Sequence, residues 1–329
     1  MNRCGKIRFA RALGAVAALA AALLSPLEVS AGPFPEKPIH FVVPNPPGTA
    51  TDQLARTVAL TVQQRGGQPV VVDNKAGANG IIASDFVAKA PADGYTVLIG
   101  NSTTNAANAY LYKKLPYSVE RDFAPLAGLG RGSQVMVVNN DVPARTVAEF
   151  IALAKASPGK YAFGSGGASA RVATEGFAQM AGIKLLHVPY KGNPLALTDL
   201  MGGQIQVFFP DMTTALPLVR SGKVRALAVT SKTRSTYLPD IPTLNESGLP
   251  GYEATYWFAA YAPAGTPADV VATLSRLLSE GVQSDAAASF FRSMGMDAFA
   301  TTPEALREFN RSELLHWGKA IKAAGIEPE

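Results

Sequence analysis

The chain has 329 residues, 47% hydrophobic and 17% charged, so it can bury a large core, most naturally as two domains of roughly 100 to 200 residues each. Its one cysteine is Cys4, and its three histidines, His40, His187 and His316, are scattered with no His-x-x-x-His pair and no carboxylate cluster at ligand spacing; a thiolate site is excluded, and neither a metal nor a cofactor is expected. The formal charge of +5 falls to +2 without the first 31 residues, and no basic run with interleaved aromatics appears, so nucleic acid is not an expected partner.

The N-terminus carries Arg3, Lys6, Arg8 and Arg11, then an Ala/Leu-rich run from Ala12 to Leu24, then Val29-Ser30-Ala31. This is the pattern of a secretory signal peptide (residues 1–31) cut after Ala31, which makes the periplasm the expected compartment. At about 1.5 Å per residue the apolar run is too short for a bilayer core of roughly 30 Å, which argues against a membrane anchor. Cys4 precedes that run, the wrong place for a lipid-modified cysteine.

Pro38 to Val43 reads as a strand that stops at Pro44. The breaker cluster Asn45-Pro46-Pro47-Gly48-Thr49 must be a loop, and a helix follows from about Ala50 with Leu54, Val58 and Val62 on one side. Thr49 and Asp52 have the spacing of a capping pair, which either only stabilises the helix or also leaves N–H groups at the loop for a carboxylate. Pro69 to Asp73 is the next strand, Gly77 to Gly80 a glycine-rich turn, and Ile81 to Ala90 a helix with Ile82, Phe86 and Val87 inward. AGANG lacks the spacing of a phosphate loop or dinucleotide fingerprint, so nucleotide binding is disfavoured. Tyr95 to Ile99 is a third strand. The uncharged polar loop Gly100 to Asn105 follows, and its Ser102 and Thr103 either donate to an anion or form a solvated turn.

Leu126 to Asn139 is extended, and Val142 to Thr146 starts a helix running to about Ala156. Lys160 to Phe163 is a strand, after which Gly164-Ser165-Gly166-Gly167-Ala168-Ser169-Ala170 is a small-residue loop opening a helix through Glu175 and Phe177. Small side chains there let a ligand approach backbone amides, with the helix dipole helping. Leu185, Leu186 and Val188 read as a buried strand, followed by a loop from Pro189 to Asn193 and a helix with Leu195, Leu197 and Leu200 at helical spacing. Gly202 and Gly203 end that helix and Ile205 to Phe209 resumes the sheet, giving a strand-helix-strand unit with parallel strands and a right-handed crossover. Loops after such strands lie at the carboxyl edge of the sheet, where open α/β folds bind ligands. Asp211, at the same edge, either accepts from a ligand hydroxyl or amine or caps the helix containing Leu216 and Val219. Val224 to Thr230 is a strand, and a loop through Pro239, Pro242 and Pro250 leads to the apolar run Tyr252 to Ala262. Trp257 in that run is core or hinge packing, or else a stacking platform. From Pro267 the chain is helical, with Val270, Leu274, Leu277 and Leu278 in one stripe and Leu306 through Ile321 in another.

No catalytic residue is expected. Gly164-Ser165-Gly166-Gly167 lacks the Gly-x-Ser-x-Gly spacing of a nucleophile elbow. His187, near Tyr190 at a strand end, is either a core histidine or a general base. An exported hydrolase using Ser165 and His187 is therefore the rival reading.

The block HVPYKG, a helix containing ALTDL and a GGQ turn resemble the signature of the substrate-binding proteins of tripartite tricarboxylate transporters, the Bug family. FVVPNPPGTATDQLAR, VVVDNKAGANGIIASDFVAKAPADGYTVLIGN, VRALAVTSKTRSTYLPDIPTLNESGLPGYE and APAGTP resemble further family blocks in the same order, so the resemblance covers nearly the whole mature chain. It implies the two-lobed α/β fold of type II periplasmic binding proteins, each lobe a mostly parallel sheet flanked by helices. Lobe one would take residues 33–130 and 258–329 and lobe two residues 131–257, with extended hinge crossings between them. It further implies an exported, monomeric receptor that closes about a small organic carboxylate and delivers it to membrane transporter subunits. Di- and tricarboxylates, acidic amino acids and aromatic carboxylates are the implied ligand classes. The residues expected at the ligand are Pro47, Gly48, Thr49, Asp52, Ser102 and Thr103 from lobe one, with Ser165, Gly166, Gly167, Ala168, Ser169, Tyr190 and Asp211 from lobe two. The chain departs from the family pattern in a shorter loop and in Arg171, where the family usually has histidine; Arg171 is either a surface or structural cation or a clamp for a second carboxylate. A ligand-sensing subunit for a membrane signalling partner would share the same fold.

Overall fold

The apolar run IHFVV forms β1 (Ile39–Val43), buried except at His40, and the proline cluster after it ends the strand because proline cannot donate to a ladder. In this computed structural model, which describes residues 34–328, the signal-peptide expectation lies outside the described residues. Residues from 37 onward form one compact unit. α1 (Ala50–Gly66) buries Leu54, Val58 and Val62 and ends at left-handed Gly67. β2 (Val70–Asn74), α2 (Ile81–Ala88) and β3 (Thr96–Asn101) follow. A π-helical turn, Thr103–Ala107, runs into the short α3 (Asn108–Leu111).

The extended segment expected over 126–139 is two strands, β4 (Phe123–Ser133) and β5 (Val135–Val138), in different sheets. α4 (Val147–Ala156) starts at a complete capping box between Thr146 and Glu149. Then come β6 (Ala162–Ser165), α5 (Ala168–Ala181), β7 (Leu186–Pro189), α6 (Asn193–Met201), β8 (Val207–Phe208), α7 (Met212–Arg220) and β9 (Arg225–Val229). β10 (Thr255–Pro263), α8 (Ala268–Val282), α9 (Asp285–Met294), β11 (Asp297–Ala298) and α10 (Pro303–Ala323) complete the described chain.

The first sheet has the order β11-β4-β10-β3-β1-β2 and the second β7-β6-β8-β5-β9. β1 runs parallel to β2 and β3, while β10 is antiparallel to β3 and β4 and β11 is antiparallel to β4. In the second sheet β6 is parallel to both β7 and β8, and β5 is antiparallel to β8 and β9. The α/β class holds, and each sheet is mixed: β1, β2, β3 and β4 share one direction against β10 and β11, and β6, β7, β8 and β9 share one against β5. β5, the first strand after the crossing into the second sheet, and β10, the first after the return, run against the other long strands of their sheets.

Several local expectations are corrected. β7 and β8 are parallel but not neighbours, because β6 lies between them. β7 is an edge strand with Leu186 58% exposed, not a buried one. Ile82 and Phe86 point outward and only Val87 is buried; Phe86 lies beneath the Lys75 ammonium at 4.4 Å. Leu195 is exposed, leaving Leu197 and Leu200 to face the core. The polar loop after β3 is the end of that strand followed by the π-helical turn. Trp257 is buried at 1% exposure, with its indole N–H donated to Glu313 at 2.7 Å, which settles it as core.

Candidate ligand cleft

β1, β3, β6 and β8 all end near one another, and the loops that follow them line a cleft with two chambers. The inner one, about 40 Å³, is lined by Asn45, Thr49, Ala50, Thr51, Asn101, Ser102, Thr103, Gly166, Gly167, Ser169, Asn193, Asp211, Tyr256 and Phe258. The outer one, about 530 Å³, shares Asn45, Asn101, Thr103, Gly166 and Gly167 and adds the Ala76–Gly80 turn, Tyr190 and Lys191. Loops and helix starts that follow strands of both sheets line both chambers. The walls approach closely: a Cβ on Gly192 would lie 3.4 Å from Thr49 Cγ2, and one on Gly167 would lie 4.0 Å from Thr103 Oγ1.

Four helices begin at the inner chamber. The residues preceding α1, α5, α6 and α7 are Thr49, Gly167, Gly192 and Asp211, and none places a side-chain cap on its helix. Elsewhere Thr146, Ser284 and Thr302 do cap α4, α9 and α10, whereas α2 and α8 also start without a side-chain cap. Uncapped first-turn N–H groups carry partial positive charge, so four of them around one chamber favour an anion there.

Side-chain amides stiffen the first sheet's wall. Asn45 Oδ1 accepts from Thr51 Oγ1 and Asn101 Nδ2, each at 2.9 Å. Asn101 Oδ1 accepts from the backbone N–H groups of Thr103 at 3.0 Å and Thr104 at 3.2 Å. On the second wall, Asn193 Nδ2 donates to Asp211 Oδ2 at 3.0 Å, and Asp211 Oδ1 is sealed from solvent with no partner. Burial pushes the Asp211 pKa up to about 7. Tyr190 donates its hydroxyl to Asp199 at 2.7 Å; burial, then that bond and the Asp199 charge, raise the phenol to about 12.

Of the sequence-predicted residues, Thr49, Ser102, Thr103, Gly166, Gly167, Ser169 and Asp211 line the inner chamber and Tyr190 the outer. Pro47 and Gly48 are exposed on the loop and line neither chamber. Asp52 is buried behind it, accepting from Gly48 N–H at 2.9 Å, from Arg56 Nε at 3.0 Å and from Asn74 Nδ2 at 3.0 Å. The capping pair thus runs backward: the Asp52 carboxylate reaches back to the loop, while Thr49 Oγ1 donates to Pro46 O. Ala168 is buried in the core, and Asp211 makes no cap bond to α7. Arg171 lines neither chamber; it sits one turn from Glu175, where burial raises the carboxyl and the Arg171 charge opposes that rise.

Ser165 and His187 do meet, with Oγ 2.7 Å from Nε2, and the imidazole stacks on Phe163. Ser165 is 5% exposed and lines neither chamber. Among the described residues, no group of three or more His, Cys, Asp or Glu is disposed to hold a metal.

The sequence reasoning missed Asn45, Thr51, Asn193, Tyr256 and Phe258 as lining residues and took the Ala76–Gly80 turn only as a turn. Asn45 stands just beyond β1 and Asn101 at the end of β3, so the carboxyl-edge rule applied to every parallel strand reaches both. Tyr256 and Phe258 alternate along β10, which puts both on one face of the sheet.

The sequence of residues 54–326 matches the model of the tripartite tricarboxylate transporter family receptor. Protein BugT of Bordetella pertussis is 38% identical over 302 residues, covering 91% of this chain and 93% of that protein. The structure of R. palustris Rpa4515 with adipate is similar at a TM-score of 0.87 and 34% identity, covering 90% of this chain and all of that one. MatC (Rpa3494) from Rhodopseudomonas palustris with bound malate follows at 0.83 and 27% identity, covering 88% of this chain and 100% of the other. With its fold and nearly its full described length shared in this way, the chain belongs to the tripartite tricarboxylate transporter receptor family.

Proposed function

We propose that this receptor is exported to the periplasm, closes about a small organic carboxylate and delivers it to a tripartite tricarboxylate-type membrane transporter. The observation that carries the reading is the inner chamber, where four uncapped helix starts from both sheets converge on an almost uncharged lining. Such a site holds an anion by oriented N–H groups and hydroxyls. Adipate in Rpa4515 and malate in MatC support a dicarboxylate as the ligand. Among the described residues, no helix is long and apolar enough to cross a membrane.

The ligand contacts in this reading are Thr49, Ser102, Thr103, Gly166, Gly167, Ser169 and Asp211, with Asn45, Asn101 and Asn193 bracing the walls. Residues 33–130 with 258–329 would move as one lobe against residues 131–257, by hinge motion where the chain passes between the sheets. Lys191 at the outer chamber, not Arg171, is the cation available to a second carboxylate.

A thermal-shift screen with succinate, malate, adipate, glutamate and benzoate tests the proposal. A ligand at about 100 times its Kd should add about 2.7 kcal/mol of stability. Failure of every carboxylate to raise Tm would overturn it. One observation favours a hydrolase, the Ser165–His187 hydrogen bond. Ester turnover that disappears in Ser165→Ala would establish that reading instead.

A further inference from the structure

Asp211 is the one acidic residue lining the inner chamber, and capping does not account for it because its side chain makes no bond to α7. One carboxyl oxygen is held by Asn193, and the other, Oδ1, is sealed from solvent without a partner. No cation lines this chamber: Lys191 borders the outer one, and Arg56 is engaged by Asp52 behind the first wall. The neighbouring groups are neutral. Asn193 stands on α6, Thr49 and Thr51 at the start of α1, Ser102 and Thr103 beyond β3, and Ser169 on α5. On β10 the Tyr256 phenol is kept protonated first by its burial and then by the Asp211 charge, with Asp297 on β11 acting in the same direction. The Tyr256 hydroxyl is 3.1 Å from Thr213 Oγ1.

The same chamber gathers four helix N-termini that favour an anion. An ionised Asp211 and a bound carboxylate would be two like charges in one small chamber. Carboxyls in that position share a proton. We propose that Asp211 is the residue that reads the ligand's carboxylate, keeping a proton on its carboxyl group and donating it in a hydrogen bond, so that binding is linked to proton uptake. This rests on the carboxylate reading of the cleft. Burial has already brought the group to the edge of protonation near neutral pH, so little further free energy is needed to complete it.

Titration calorimetry tests the proposal on the wild-type chain, using whichever of succinate, malate or adipate gives the largest thermal shift. Runs at each pH in two buffers of different ionisation heat count the protons taken up. Above about pH 7 close to one proton should enter per ligand, and Kd should weaken about 100-fold between about pH 6 and about pH 9. Asp211→Asn, whatever its absolute affinity, should lose both the slope and the uptake. A flat Kd with no proton uptake overturns the proposal and leaves the carboxylate reading standing. An affinity that rises with pH overturns it too, since an ionised Asp211 would then face a ligand cation. A slope that persists in Asp211→Asn assigns the titration to another group. Should that variant not fold, Asp211→Ser takes its place with the same two outcomes. If no carboxylate binds at any pH, the carboxylate reading itself has failed.

Discussion

A Cβ at Gly166 would strike the backbone nitrogen of Asn193, so the end of β6 and the start of α6 come together only because that residue is glycine. Gly166→Ala is expected to cost about 1 to 3 kcal/mol by overpacking, and to weaken ligand binding further by pushing apart two chamber walls. Urea unfolding and calorimetry separate the two effects. Asp52 and Asp211 should respond to pH in opposite senses. At Asp52 burial alone would raise the pKa, but hydrogen bonds from Gly48, Arg56 and Asn74 and the Arg56 charge outweigh it and hold the carboxyl below its ordinary value. Its stabilisation is therefore full above the ordinary carboxylate range and lost as pH falls through the folded value. Asp52→Asn should cost about 2 kcal/mol at neutral pH, with the gap closing toward about pH 3 in urea melts. Asp211, raised to about 7, is most stabilising when protonated and loses that contribution as pH rises through the folded value. Asp211→Asn should therefore gain stability relative to wild type as pH rises from about 4 to about 7, and level off above that. The chamber residues Thr49, Ser102, Thr103, Gly166 and Gly167 were legible because strand ends followed by helix starts are a backbone pattern. Pro47, Gly48, Ser165 and Ala168 lie off the chamber walls because the path of such a loop and the direction of its side chains are set by tertiary dihedrals that composition does not reveal.

At the scale of elements, α7 and α9 meet through one left-handed residue. Gly295 ends α9 at φ +66°, and a Cβ there would strike Met212 Cγ at the start of α7, next to Asp211. Gly295→Ala is expected to cost about 1 to 3 kcal/mol from backbone strain and collision, lowering Tm by several degrees in calorimetry. Thr146→Ala, which removes the capping box of α4 far from the cleft, should cost about 1 kcal/mol and leave ligand affinity unchanged. Most strands and long helices were legible from periodicity. A helical reading from Pro267 with two apolar stripes does not separate α9, whose stop depends on Gly295. β7 looked buried because LLHV is apolar, yet whether such a run lies inside a sheet or on its edge depends on strand order.

For the molecule as a whole, the two tryptophans share one acceptor. Glu313 takes the Trp257 N–H at 2.7 Å and the Trp317 N–H at 3.1 Å. Trp317 also lines a crevice of about 150 Å³ between α10 and α5, and Val172 of α5 packs into the same apolar cluster. The proposed hinge motion between the sheets would alter that crevice and leave Trp257 in its core. Ligand addition should therefore change tryptophan emission, with the change removed in Trp317→Phe and retained in Trp257→Phe. The opposite pattern would mean that α5 and α10 do not move apart. The two-sheet arrangement was legible mainly through family resemblance; periodicity alone showed strands and helices but not that Gln134 divides one extended run between two sheets.

The chain leaves the first sheet after Ser133 and rejoins it at Thr255, so everything in the second sheet is a single uninterrupted stretch. One side of the chamber is thus encoded as a cassette with only two splice points. Under the proposed function, exchanging that cassette between relatives would retune cargo preference in one cloning step, provided that Val172 and Met212 keep their fit against the other half.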